Sequence, residues 1–116
     1  MTDYQTPEDL KSIPQLVSLA PVEAKAFLAF NHACERQDGV IPPKYRELIS
    51  LAVALTTQCA YCLDVHTQGA SRAGATREEI AEMAMIAAAV RAGGSLSHAL
   101  LAFRLFDRHA SANSSA

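Results

Sequence analysis

The stretch ELISLAVALTTQCAYCLDVHTQGASRAG, Glu47 to Gly74, decides how the rest of the chain reads. Leu48, Ile49, Leu51, Ala52, Val53 and Leu55 continue a helix that begins near Pro43. It is apolar on most sides after Glu47, so it is expected to be central and buried. Thr56-Thr57-Gln58 continues a helix poorly and offers capping hydroxyls. A second helix is therefore expected to start close to Cys59 and run to about Ala73, with Gly74 as its C-terminal cap. With that start, Cys59, Cys62 and His66 fall at i, i+3 and i+7 on one face.

Working outward, the same helical spacing recurs. Pro21 suits a first helical turn, and Val22, Ala26, Phe27, Phe30, Ala33 and Cys34 follow at helical intervals until Asp38-Gly39 ends the run. Val40-Ile41-Pro42-Pro43 reads as a short extended connector, because a residue before proline avoids the helical region. Past Gly74, Thr76-Arg77-Glu78-Glu79 is a capping box, a threonine N-cap with glutamate three residues on. The helix it opens, Ile80 to Val90, is apolar nearly all round beyond Glu82, so part of it is expected in a subunit interface. Gly93-Gly94 is expected to break the chain, with a last helix from about Ser95 to His109 anchored by Leu96, Leu100, Phe103 and Leu105-Phe106. No strand alternation, repeat or linker is seen. The expectation is an all-α domain of about five to six helices over residues 21–110, after a lead-in over 1–20 and before a disordered tail over 111–116.

Composition excludes several classes. At 116 residues the chain is one domain, and half of its residues are apolar, so it has a core to bury. A net charge of -2 without a basic cluster argues against nucleic acid. The polar, acidic start MTDYQTPEDL is no signal peptide, and no apolar run approaches the length of a membrane span. A cytoplasmic protein is expected. Three cysteines are too few for a disulfide scaffold; in a reducing compartment a close pair points to redox or metal chemistry.

The chemistry follows from position. Free N–H groups at a helix start favour an anion, which lowers a thiol pKa from about 8.5 toward 7. His66, one turn past Cys62, is placed to accept a thiol proton. Glu47 is the one charge between itself and Cys59; burying it needs a partner, and it could orient the imidazole. The plain alternative is two buried cysteines with no chemistry. Cys34 reads as a small core residue, His32, His98 and His109 as surface or structural histidines, and Met83 and Met85 as packing. Tyr61, between the cysteines, reads as pocket lining.

Glu47, the Cys59-Ala60-Tyr61-Cys62 pair, His66, Ala70, Gly74 and Glu79-Ile80 together resemble the carboxymuconolactone decarboxylase superfamily, within it the alkylhydroperoxidase D-like branch. The resemblance spans roughly residues 20–110. It implies an all-helical fold assembled from intertwined dimers, often trimers of dimers. It implies a peroxiredoxin-like alkylhydroperoxidase in which Cys62 attacks through a sulfenic acid, Cys59 resolves, His66 is the base and Glu47 the relay carboxylate. A hydroperoxide substrate and a dithiol reductant, protein or small thiol, are implied, with no haem, flavin or metal. One departure stands out: the branch carries histidine where this chain has Tyr61. Two other readings stay open. Cys59, Cys62, His66 and Glu47 could form a tetrahedral zinc site. The chain could also be a lactone decarboxylase in which the cysteines are incidental.

Overall fold

The computed structural model describes residues 4–115, and every regular element among them is helical. A 3-10 helix, Pro7–Ser12, leads into α1 (Ile13–Leu19), α2 (Pro21–Cys34), α3 (Pro43–Thr57), α4 (Ala60–Arg72) and α5 (Arg77–Ser115). Proline opens α2 and α3 at a position whose N–H has no intrahelical acceptor. The capping box at Thr76 forms: its hydroxyl accepts from the Glu79 N–H at 3.1 Å, and the Glu79 carboxylate accepts from the Thr76 N–H at 2.9 Å. Gly74, at φ 88°, closes α4, with its N–H bonded to Ser71 O and the Ala75 N–H to Ala70 O.

α3 is the hub, packing on α4 along one side and on α5 along another. Among the described residues, Leu51 and Ala54 of α3, Ala70 of α4 and Ala87 of α5 are the buried apolar ones. The small partners let the three helices approach closely around Leu51. α1 packs on α2 and on the 3-10 helix, and the 3-10 helix in turn touches α4. Arg46 fastens the α2–α3 connector, donating from Nε to Ile41 O at 2.8 Å and from Nη1 to Cys34 O at 2.7 Å.

Four expectations are corrected. Gly93-Gly94 does not break the chain: α5 runs unbroken for 39 residues. Each glycine costs a helix about 1 kcal/mol relative to alanine. The alanine- and leucine-rich turns on both sides carry helix propagation through them. Residues 111–115 are helical rather than a disordered tail, and Ala116, like residues 1–3, lies outside the described residues. The lead-in over residues 4–20 carries regular structure throughout most of its length. Cys34 is exposed rather than a core residue: it is the last residue of α2, whose packing among the described helices is on α1. Much of the apolar surface is uncovered: Phe27, Phe30, Ile49 and Val53 are all more than half exposed. Unbroken, α5 is also long and apolar enough to cross a membrane by length and composition.

Candidate dithiol site

The site begins where α3 stops. Thr56 and Thr57 turn their hydroxyls back onto Val53 O, at 2.8 and 3.0 Å, and Gln58 adopts the left-handed conformation at φ 58°. Arg91 of α5 donates from Nη1 to Thr56 O at 2.6 Å, satisfying a carbonyl that the helix end leaves free. The chain then turns directly into α4 with Cys59 as extended N-cap residue. The Cys59 sulfur accepts the Cys62 N–H at 3.2 Å, the role a serine or aspartate oxygen plays at most helix starts. Cys59 and Cys62 are joined in a disulfide, their Cα atoms 5.3 Å apart. Both are half-buried. The helix N-terminus therefore favours negative charge on the Cys59 sulfur whenever that bond is open.

Glu47 lies one turn before Leu51 on the face of α3 that meets α4, and His66 one turn before Ala70 on the face of α4 that meets α3. The buried pair Leu51 and Ala70 thus brings carboxylate and imidazole together: His66 Nδ1 is 2.7 Å from Glu47 Oε2. Both side chains are largely out of water, at 16% and 23% exposure. A carboxylate that accepts there fixes the proton on Nδ1 and leaves the Nε2 lone pair as the basic site. No hydrogen bond links His66 to either sulfur among the described residues.

Gly69, one turn past His66, makes the contact possible. A Cβ on Gly69 would stand 2.5 Å from Glu47 Cδ and 2.6 and 2.7 Å from its two oxygens. Sequence reading overlooked Gly69, though a glycine inside a helix that costs about 1 kcal/mol is itself a sign of close approach. Tyr61 is placed differently from expectation. Its hydroxyl donates to Asp9 Oδ2 at 2.6 Å, pinning the 3-10 helix against the first turn of α4. That hydrogen bond, with lesser contributions from desolvation and the Asp9 charge, holds the phenol above its ordinary value. Asp9 gave no sequence signal, because its partner is 52 residues away.

The four predicted residues thus form two joined pairs, Cys59 with Cys62 and Glu47 with His66, on consecutive turns of α4 and the facing turn of α3. No group of three or more His, Cys, Asp or Glu side chains converges at metal-binding distance among the described residues. The zinc reading requires such a convergence.

The sequence profile of the carboxymuconolactone decarboxylase family matches residues 21–105. An uncharacterized protein of the cox locus of Paracoccus denitrificans is 35% identical over 107 residues, covering 92% of this chain and 96% of that one. An uncharacterized protein of Cupriavidus necator is 34% identical over 95 residues, covering 80% and 84%. One of Haemophilus influenzae is 38% identical over 60 residues, covering 52% of each. The matched region takes in α2, α3, α4 and most of α5, so it contains every helix that supplies the two pairs, and the chain belongs to the carboxymuconolactone decarboxylase family.

Proposed function

We propose that the chain is a thiol-dependent oxidoreductase of the alkylhydroperoxidase D-like kind, reducing hydroperoxides with the Cys59/Cys62 dithiol. The observation that carries this reading is the Cys59–Cys62 disulfide at the first turn of α4, with the hydrogen-bonded Glu47–His66 pair one turn beyond it. In the reduced protein the Cys62 thiol gives its proton to His66 Nε2, while Glu47 holds Nδ1–H and stabilises the imidazolium. The Cys62 thiolate attacks the hydroperoxide, the O–O bond breaks, and the alcohol leaves with the proton that His66 returns. Cys62 is then a sulfenic acid. The Cys59 thiol attacks its sulfur, forming the disulfide and releasing water. A dithiol, protein or small molecule, supplies the two electrons that reopen the bond. Its thiolate attacks Cys62, because Cys59 is the better leaving group: the Cys62 N–H and the start of α4 receive its charge. A cycle in which the dithiol must be re-reduced suits a reducing compartment such as the cytoplasm.

Peroxide consumption with a dithiol donor tests the proposal. Cys62→Ser is expected to abolish turnover, and wild-type turnover in that variant contradicts the mechanism. The lactone decarboxylase reading predicts the opposite pattern, full activity on a lactone acid after both cysteines become alanine.

A further inference from the structure

The 3-10 helix lies against the first turn of α4, the turn that carries the disulfide. Among the described residues none of its side chains is buried. The one side-chain hydrogen bond it makes to another helix among them is the 2.6 Å bond that Asp9 Oδ2 accepts from the Tyr61 hydroxyl. The same Asp9 oxygen accepts the Thr6 N–H at 3.5 Å, so the group that meets Tyr61 also caps the 3-10 helix. A segment with so little buried surface opens at small cost, and a single bond weighs heavily in its docking. Tyr61 stands directly before Cys62 in the chain and about 100° from it round α4. At the same spacing Cys59 falls about 60° to the other side of Cys62. The 3-10 helix is therefore held on the flank of Cys62 that faces away from Cys59.

We infer that the Asp9–Tyr61 clasp determines which reductant reopens the disulfide: closed, it holds the 3-10 helix in the path of a protein dithiol, while a small dithiol passes beside it. The inference rests on the dithiol reading. Thiol–disulfide exchange is an in-line displacement, with the entering, attacked and leaving sulfurs close to one line. A thiolate that attacks Cys62 and expels Cys59 enters from the side of Cys62 away from Cys59, the side the 3-10 helix borders. Its sulfur bonds to Cys62, the Cys59–Cys62 bond breaks, and the electron pair leaves on Cys59, which takes up a proton. The second thiol of the reductant then attacks its own bridged sulfur and frees Cys62, so the reductant leaves as a disulfide and this chain as a dithiol. A small dithiol needs room for only a few atoms. A protein dithiol brings a whole surface up to the start of α4, and the six-residue 3-10 helix must first move aside. Its undocking is then a pre-equilibrium ahead of the exchange. The bond that sets that equilibrium holds no sulfur and neither member of the Glu47–His66 pair, so it can be broken without touching the chemistry.

Stopped-flow reduction of the full-length protein in a Cys34→Ser background tests the inference. The Cys59–Cys62 bond is first formed with diamide, and dithiothreitol and reduced thioredoxin serve as the two probes. Tyr61→Phe, which removes one hydroxyl, is expected to raise the thioredoxin rate about fivefold and to change the dithiothreitol rate by less than about twofold. Asp9→Ala is expected to do the same. Adding Tyr61→Phe to it is expected to bring nothing further, because both variants break one bond. A thioredoxin rate unchanged by either variant overturns the inference, as does an equal rise with both probes. Effects that multiply in the double variant, or a thioredoxin that reduces no form of the protein, overturn it as well. Peroxide takes no part in this measurement. A reduced dithiol that peroxide fails to oxidise therefore counts against the proposed reaction and is read apart from the clasp.

Discussion

At the level of single residues, the site depends on one atom that is missing. The Glu47 carboxylate occupies the space a Cβ on Gly69 would fill. Gly69→Ala is therefore expected to push Glu47 off His66 while favouring α4 as a helix, so activity falls without loss of fold. The expected loss in kcat/KM is about tenfold or more, because small misplacements of a proton-handling group are costly. Glu47→Gln is expected to lose on the order of a hundredfold. Thermal unfolding measured beside kinetics separates the effect from instability. The hydrogen-bonded Nδ1–H proton of His66, observed by NMR, should disappear in Gly69→Ala and move upfield in Glu47→Gln, whose neutral amide oxygen accepts it more weakly. Tyr61→Phe removes the hydroxyl that holds Asp9. Amide exchange over residues 7–12 is expected to quicken in that variant, with α4 beyond its first turn unchanged. Glu47 and His66 were legible in the sequence because a lone charge in an apolar stretch demands a partner and His66 was in phase to be one. Gly69 and Asp9 were not, since each acts through a contact between elements that spacing along one helix does not encode.

At the level of elements, α3 and α5 are braced at their starts by Lys44 and Glu79, whose Nζ and Oε2 are 2.9 Å apart. Glu79 is held below its ordinary 4.5, first by the Lys44 hydrogen bond and then by the Thr76 N–H. Lys44 is held above its ordinary 10.5, first by the hydrogen bond to Glu79. A lowered carboxylate stabilises the fold fully above 4.5 and loses that contribution as pH falls through its lowered value. A raised lysine stabilises below 10.5 and loses it as pH rises through its raised value. The Tm difference between wild type and Glu79→Gln is therefore expected to be level through neutral pH. It should close in acid below 4.5 and again in alkali above 10.5. Both partners lie near the surface, so the difference should also shrink with added salt. The two central helices, the turn at Gln58 and the Thr76 cap were legible because capping chemistry is local. The continuity of α5 was not. Glycine is a weak breaker whose effect depends on its neighbours, and here alanine-rich turns outweigh it.

At the scale of the molecule, the single chain is extended for its length. Its radius of gyration is 20.3 Å, against about 13 Å for a closed globule of this size. The reason is visible in α5, about 58 Å long at 1.5 Å per residue, with its second half standing clear of the other helices. The all-α class was legible from helical periodicity, but what covers the apolar faces was not. Periodicity marks a face for burial without saying against what, and the same stripe serves a core, a partner or a bilayer. The dithiol sits apart from these open faces, between α3 and α4, where a single chain already brings its pairs together. The central claim is that Cys59 and Cys62 carry the redox chemistry as one unit. It is tested most directly by mixing the fully reduced protein with a stoichiometric hydroperoxide, then trapping free thiols by alkylation and mapping them by mass spectrometry. The account predicts that Cys59 and Cys62 lose their thiols together as one intramolecular disulfide, at the rate the peroxide disappears, while Cys34 stays alkylated. Peroxide consumed while Cys59 and Cys62 both remain alkylated would contradict it.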